Sequence, residues 1–121
     1  EVVVVGLDRQ SGPLVAAARA QARDAIDRAV IDTHGFRFAG VDDAHSINFL
    51  PGGAKYFDLP GMLAVAAPEK VFLTGEGEHA RLIQSAYTAA GAEGNLTIHR
   101  KTRDGKGRRL LLDEVVEYIL P

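Results

Sequence analysis

The chain has 121 residues and a hydrophobic content of 46%, enough to build one hydrophobic core and the length of one domain. Its formal net charge of -2 excludes a global electrostatic pull toward nucleic acid or an anionic membrane and leaves only local patches for such binding. With no cysteine it has no disulfide framework, no thiolate nucleophile and no Cys-ligated zinc, and redox chemistry leaves its compartment unknown.

The run Val2-Val3-Val4-Val5 is β-branched and uninterrupted, as in a strand covered on both faces, and strands of that kind build parallel sheets. It carries no basic n-region, and no later apolar run reaches the roughly 18 residues of a membrane span. Because the chain opens inside what reads as a buried strand, it is expected to be part of a longer protein. After a turn from Gly6 to Gly12, Pro13 suits the first turn of a helix, and the alanine-rich stretch Leu14 to Arg23 continues it. Ala29-Val30-Ile31 reads as a second strand, followed by Asp32, Thr33, His34 and Gly35 at the end where open α/β sheets hold ligands.

From Phe36 to Pro60, Gly, Pro, Asp and Asn recur without periodicity, which predicts a long excursion holding at most a helical turn. Leu59 to Ala67 resumes a short helix that Pro68 stops. Val71-Phe72-Leu73-Thr74 is a third strand, Glu78 to Ala90 an amphipathic helix closed by Gly91, and Leu96-Thr97-Ile98-His99 a fourth strand. A last helix covers about Leu110 to Ile119. Strands alternating with helices predict one α/β domain over 1–121: a mostly parallel sheet of about four strands, right-handed crossovers and helices on both faces.

The segment running from Phe49-Leu50-Pro51-Gly52-Gly53 through Lys55-Tyr56-Phe57-Asp58-Leu59-Pro60-Gly61 to Ala66-Ala67-Pro68 is similar to a stretch of acetyl-xylan-esterase-like and dienelactone-hydrolase-like α/β-hydrolases. In those proteins it precedes the strand carrying the triad acid. Val71 to Glu78 looks like that strand and its acidic loop, so the resemblance covers most of the chain and implies the C-terminal half of an α/β-hydrolase fold. It implies further that Glu1 to Gly12 is the strand and nucleophile elbow, and that an N-terminal half would supply the other strands and one oxyanion-hole donor.

The triad can be followed residue by residue. Gly6-Leu7-Asp8-Arg9-Gln10 places Asp8 where a serine nucleophile would stand and Gln10 where the elbow prefers glycine. A carboxylate nucleophile exists in the dehalogenase and epoxide-hydrolase branches of the superfamily, but it needs a histidine to activate water. The bland account of Asp8 is an acid at the start of a helix. Glu78 falls at the triad-acid position, and it too has a bland account as a first-turn acid. The loop where the catalytic histidine belongs, Lys101 to Gly107, contains none, and His99 lies earlier, inside the strand.

The expectation is therefore a catalytically degenerate domain with a structural or protein-interaction role, its partner another chain or domain covering the edge of the N-terminal strand. The alternative is an ester hydrolase of the carbohydrate acetyl-ester type, with Asp8 and Glu78 in an unconventional triad or one completed by another chain. Asp42, Asp43 and His45, and the pair Asp32 and His34, have metal-ligand chemistry but match no metal motif. The basic run Arg100 to Arg109 lacks the aromatics that stack bases, and the glycines form neither a dinucleotide fingerprint nor a phosphate loop. No cofactor, metal, membrane or nucleic acid is expected.

Overall fold

The computed structural model describes residues 1–100 and 107–120. In chain order the elements are β1 (Val3–Gly6), α1 (Ser11–Ala22), β2 (Arg28–Asp32), α2 (Asp58–Val65), β3 (Lys70–Thr74), α3 (Ala80–Ala89), β4 (Leu96–His99) and α4 (Gly107–Ile119). The strands form one four-stranded, all-parallel sheet in the order β1-β2-β3-β4. When consecutive parallel strands add in one direction, crossovers of a single hand put their helices on one face. Val15 and Ala16 of α1, Leu59 and Leu63 of α2, and Ile83 and Tyr87 of α3 accordingly pack with Ala29, Ile31, Val71 and Leu73 in one core. The opposite face is covered by α4, whose Leu111 and Val115 pack on Val30 and Phe72. Alternation along each strand creates this division, and it explains why β2 and β3 read as unbroken apolar runs.

Sequence and structure differ at element boundaries for local reasons. Helix α1 begins at Ser11, ahead of the expected Pro13, because Asp8 accepts the N–H groups of Gln10 and Ser11 where the helix starts. Its Gly12 lies so close to the end of β2 that a Cβ there would sit 1.9 Å from the Asp32 carbonyl oxygen. The helix expected from Glu78 splits into a 3-10 turn at Gly77–His79 and α3 proper.

The excursion after β2 is a succession of turns with one 3-10 turn at Phe38–Gly40. It is tied down by Asp58, a buried carboxylate that accepts the N–H groups of Phe38 at 2.8 Å, Ala39 at 2.9 Å and Leu59 at 2.6 Å. Tyr56, Phe57 and Asp58 all have positive φ (53°, 71° and 58°). Such backbone costs of order 1–3 kcal/mol per residue and persists only where its surroundings fix it. Here the Asp58 carboxylate and the close approach of Gly61 to the Tyr56 carbonyl do so.

Candidate functional site

The C-terminal ends of the parallel strands gather the polar residues. Val5, Val30, Phe72 and Thr97 are in register, so two positions further on Asp32, Thr74 and His99 are neighbours on the α4 face of the sheet. The turns that follow carry Asp8 after β1, His34 after β2, and Glu76 and Glu78 after β3.

Asp8 is exposed, and one of its carboxylate oxygens accepts the N–H groups of Gln10 at 2.8 Å and Ser11 at 2.7 Å. The Ser11 hydroxyl accepts the Asp8 N–H in return at 3.3 Å. These bonds, with the Ser11 N–H the largest cause and the Gln10 N–H next, hold the Asp8 carboxyl below the usual aspartate range. The positive-φ residues other than glycine among the described residues are Arg23, His34, Tyr56, Phe57 and Asp58. Asp8 therefore stands on ordinary backbone, without the strain that lifts a nucleophile out of an elbow.

Glu78 sits exposed in the 3-10 turn after β3 and makes no hydrogen bond or ion pair with the described residues. It lines a pocket of ≈ 590 Å³ together with Thr74, Glu76, Arg81, Gln84 and His99. β2 runs between the strands that carry Asp8 and Glu78, so their anchoring turns stand about 10 Å apart at ordinary strand spacing. His99 lines the same pocket as Glu78 but is not bonded to it or to Asp8. Its Nδ1 donates to Glu114 of α4 at 2.7 Å, and its ring, 6.2 Å from that of Phe72, stacks under α4. No histidine hydrogen bonds to Asp8 or Glu78 among the described residues.

The acid that the fold buries after β3 is Glu76, two residues before the expected one. Its carboxylate is 4% exposed and takes a two-pronged contact from Arg37 at 2.7 and 3.2 Å, which clamps the start of the excursion to the end of β3. The sequence signalled an acidic loop but not which acid is buried, since the partner lies 39 residues away.

The pair Asp32 and His34 is drawn together. Asp32 is 2% exposed; one oxygen accepts the His34 N–H at 3.0 Å and the other lies 3.3 Å from His34 Nε2. That same Nε2 is 3.3 Å from the Leu7 carbonyl oxygen of the β1 turn. Gly75 makes room for the turn: with φ +96°, a Cβ there would meet the His34 nitrogen at 2.6 Å and Asp32 Oδ1 at 2.8 Å.

The other cluster is a surface turn. Asp43 accepts the His45 N–H at 2.8 Å, and their side chains are 67% and 96% exposed. No group of three or more metal-ligating side chains occurs among the described residues. Of the basic run, 101–106 lie outside the described residues. No described helix is long and apolar enough to cross a membrane. Comparison with protein-family models, curated proteins and solved structures finds no match.

Proposed function

We propose that this chain is a catalytically degenerate α/β-hydrolase-like domain with a structural or protein-interaction role. One observation carries the reading: the carboxylate at the nucleophile position is spent on the first N–H groups of α1, on unstrained backbone and without a histidine bonded to it. A carboxylate nucleophile needs a histidine to activate the water that hydrolyses its ester intermediate, none is bonded to Asp8 among the described residues, and removing one triad member typically costs orders of magnitude in rate. The resemblance supplies the family. The sheet order and the division of three helices against one are compatible with it.

The interaction surface in this reading is the outer edge of β1, an edge strand without a neighbour on that side among the described residues, where Val2 and Val5 are 50% and 43% exposed. Apolar strand edges invite pairing with another chain or domain.

The alternative reading, an ester hydrolase of carbohydrate acetyl-ester type completed by another chain, has Glu78 in its favour, a carboxylate beside a pocket with no partner in the described residues. Hydrolysis of a panel of short-chain activated esters by the purified chain, with Asp8→Ala and Glu78→Ala beside it, separates the two. The expected outcome is a rate that neither substitution changes. Turnover abolished by both would overturn the degenerate reading in favour of a shared or unconventional triad.

A further inference from the structure

His34 is an imidazole at the strand ends whose proton position the surrounding atoms dictate. Its Nε2 lies 3.3 Å from a carboxylate oxygen of Asp32 and 3.3 Å from the carbonyl oxygen of Leu7. Both are acceptors without a proton to give, so Nε2 must carry the hydrogen and donate. In the neutral ring the lone pair is then on Nδ1, which has no hydrogen-bond partner in the structure, and the side chain is 31% exposed.

The arrangement is built rather than incidental. His34 holds φ +49°, a left-handed conformation that histidine, like asparagine and aspartate, adopts more readily than other non-glycine residues. The buried Asp32 carboxylate grips both its backbone N–H and its ring, and Gly75 leaves the space in which the turn fits. Strained residues held in this way cluster at functional sites. The position is at the carboxyl ends of the parallel strands, the end of an open α/β sheet at which ligands are held.

We propose that His34 is a general base acting through Nδ1 on an O–H donor, water or an alcohol, seated over the ends of β1 and β2, with Asp32 as the residue that positions it. With water and an acyl ester, Nδ1 takes a proton as the water oxygen bonds to the acyl carbon. The imidazolium then returns that proton to the departing alkoxide as the C–O bond breaks, giving acid and alcohol with the ring regenerated. No covalent intermediate on the protein is needed, so this chemistry stands apart from the serine-type triad and does not depend on the reading of Asp8.

The test uses the whole chain and p-nitrophenyl acetate as the probe, with long-range ¹H–¹⁵N correlation spectra of the imidazole rings as a second readout. His34→Asn keeps a residue that tolerates left-handed backbone and should lower p-nitrophenolate release about a hundredfold, the scale of a lost general base. Asp32→Asn should lower the rate and release the ring from its fixed Nε2–H tautomer, while His45→Asn, which removes an exposed imidazole elsewhere, leaves the rate unchanged. Melting curves of each variant separate unfolding from chemistry. A wild-type rate equal to that of His34→Asn, or a His34 ring protonated on Nδ1 at neutral pH, overturns the proposal. Loss of turnover on His34→Asn with Asp8→Ala unaffected supports it, leaves the triad itself degenerate and replaces the purely structural role; loss on Asp8→Ala alone sinks both.

Discussion

Asp8 gives up its proton more readily than an ordinary aspartate because two backbone N–H groups point at its carboxylate. The ordinary value is 3.8, and the folded chain lowers it. A group whose folded pKa is depressed adds stability that is complete above the unfolded pKa and disappears as pH falls through the folded one. Asp8→Ala should therefore melt below the wild type at neutral pH, and the difference should close at a pH beneath the depressed value. Thermal melts of both proteins across the acid range check this, and a gap independent of pH would mean that the carboxylate is not the cap. At this scale the sequence was only half legible. The bland account of Asp8 as a helix-start acid could be read from its place before Pro13. The roles of Glu76 and His34 could not, because burial, tautomer and φ depend on Arg37, Leu7 and Gly75, which reach them from other turns.

Between elements, the strongest junction is one that composition hides. Arg19 of α1 is fully buried; its guanidinium donates to the carbonyl oxygens of Arg23 and Ile26 and pairs with Glu69 at 3.1 Å. The carbonyl of Glu69 in turn accepts the Tyr87 hydroxyl of α3 at 2.6 Å. One residue before β3 thus joins α1 to α3, and an arginine within an alanine-rich helix gives no hint of it. Burial pushes the Tyr87 hydroxyl up to about 12 from its ordinary 10.0. The sign is opposite to that of Asp8: the raised group contributes stability that is intact below pH about 10 and is lost as pH rises through about 12. Tyrosinate absorbance should show a late-ionising tyrosine that Tyr87→Phe removes, and that variant should cost about 1–2 kcal/mol in denaturant melts by leaving the Glu69 carbonyl unsatisfied. Element order and type were legible throughout, since hydrophobic period and glycine or proline punctuation are local signals. Boundaries moved where a short-range cap or turn intervened, as the Asp8 carboxylate does at Ser11 and the 3-10 turn does at Gly77.

Among the described residues the helices are divided unevenly: three share one face of the sheet through a continuous core, and α4 packs on the other. Uninterrupted apolar strands alternating with helices along the chain predicted two covered faces, but which helix covers which face follows only from crossover handedness and strand order. The asymmetry has a thermodynamic consequence. α4 is held by Leu111 and Val115 against Val30 and Phe72, by the Tyr118 ring on Phe72, by the Arg28 bond to the Tyr118 carbonyl and by the His99 to Glu114 bond, and it belongs to a separate core cluster from α1, α2 and α3, so it can detach while the other core stays packed. Regions with fewer buried apolar contacts open at lower free energy than the global transition. Native-state hydrogen exchange should therefore find the amides of α4 opening below the global unfolding free energy, and those of β2 and β3, covered on both faces, exchanging only with it. Leu111→Ala, at a site 7% exposed, should weaken that face by about 2–4 kcal/mol. If α4 is a separate unit, the loss should appear in full in α4 exchange, while the opening of α1 and α3 relative to the sheet stays as in the wild type. Equal acceleration of α1, α3 and α4 would instead mean that the two faces open as one, with the sheet too thin to insulate them.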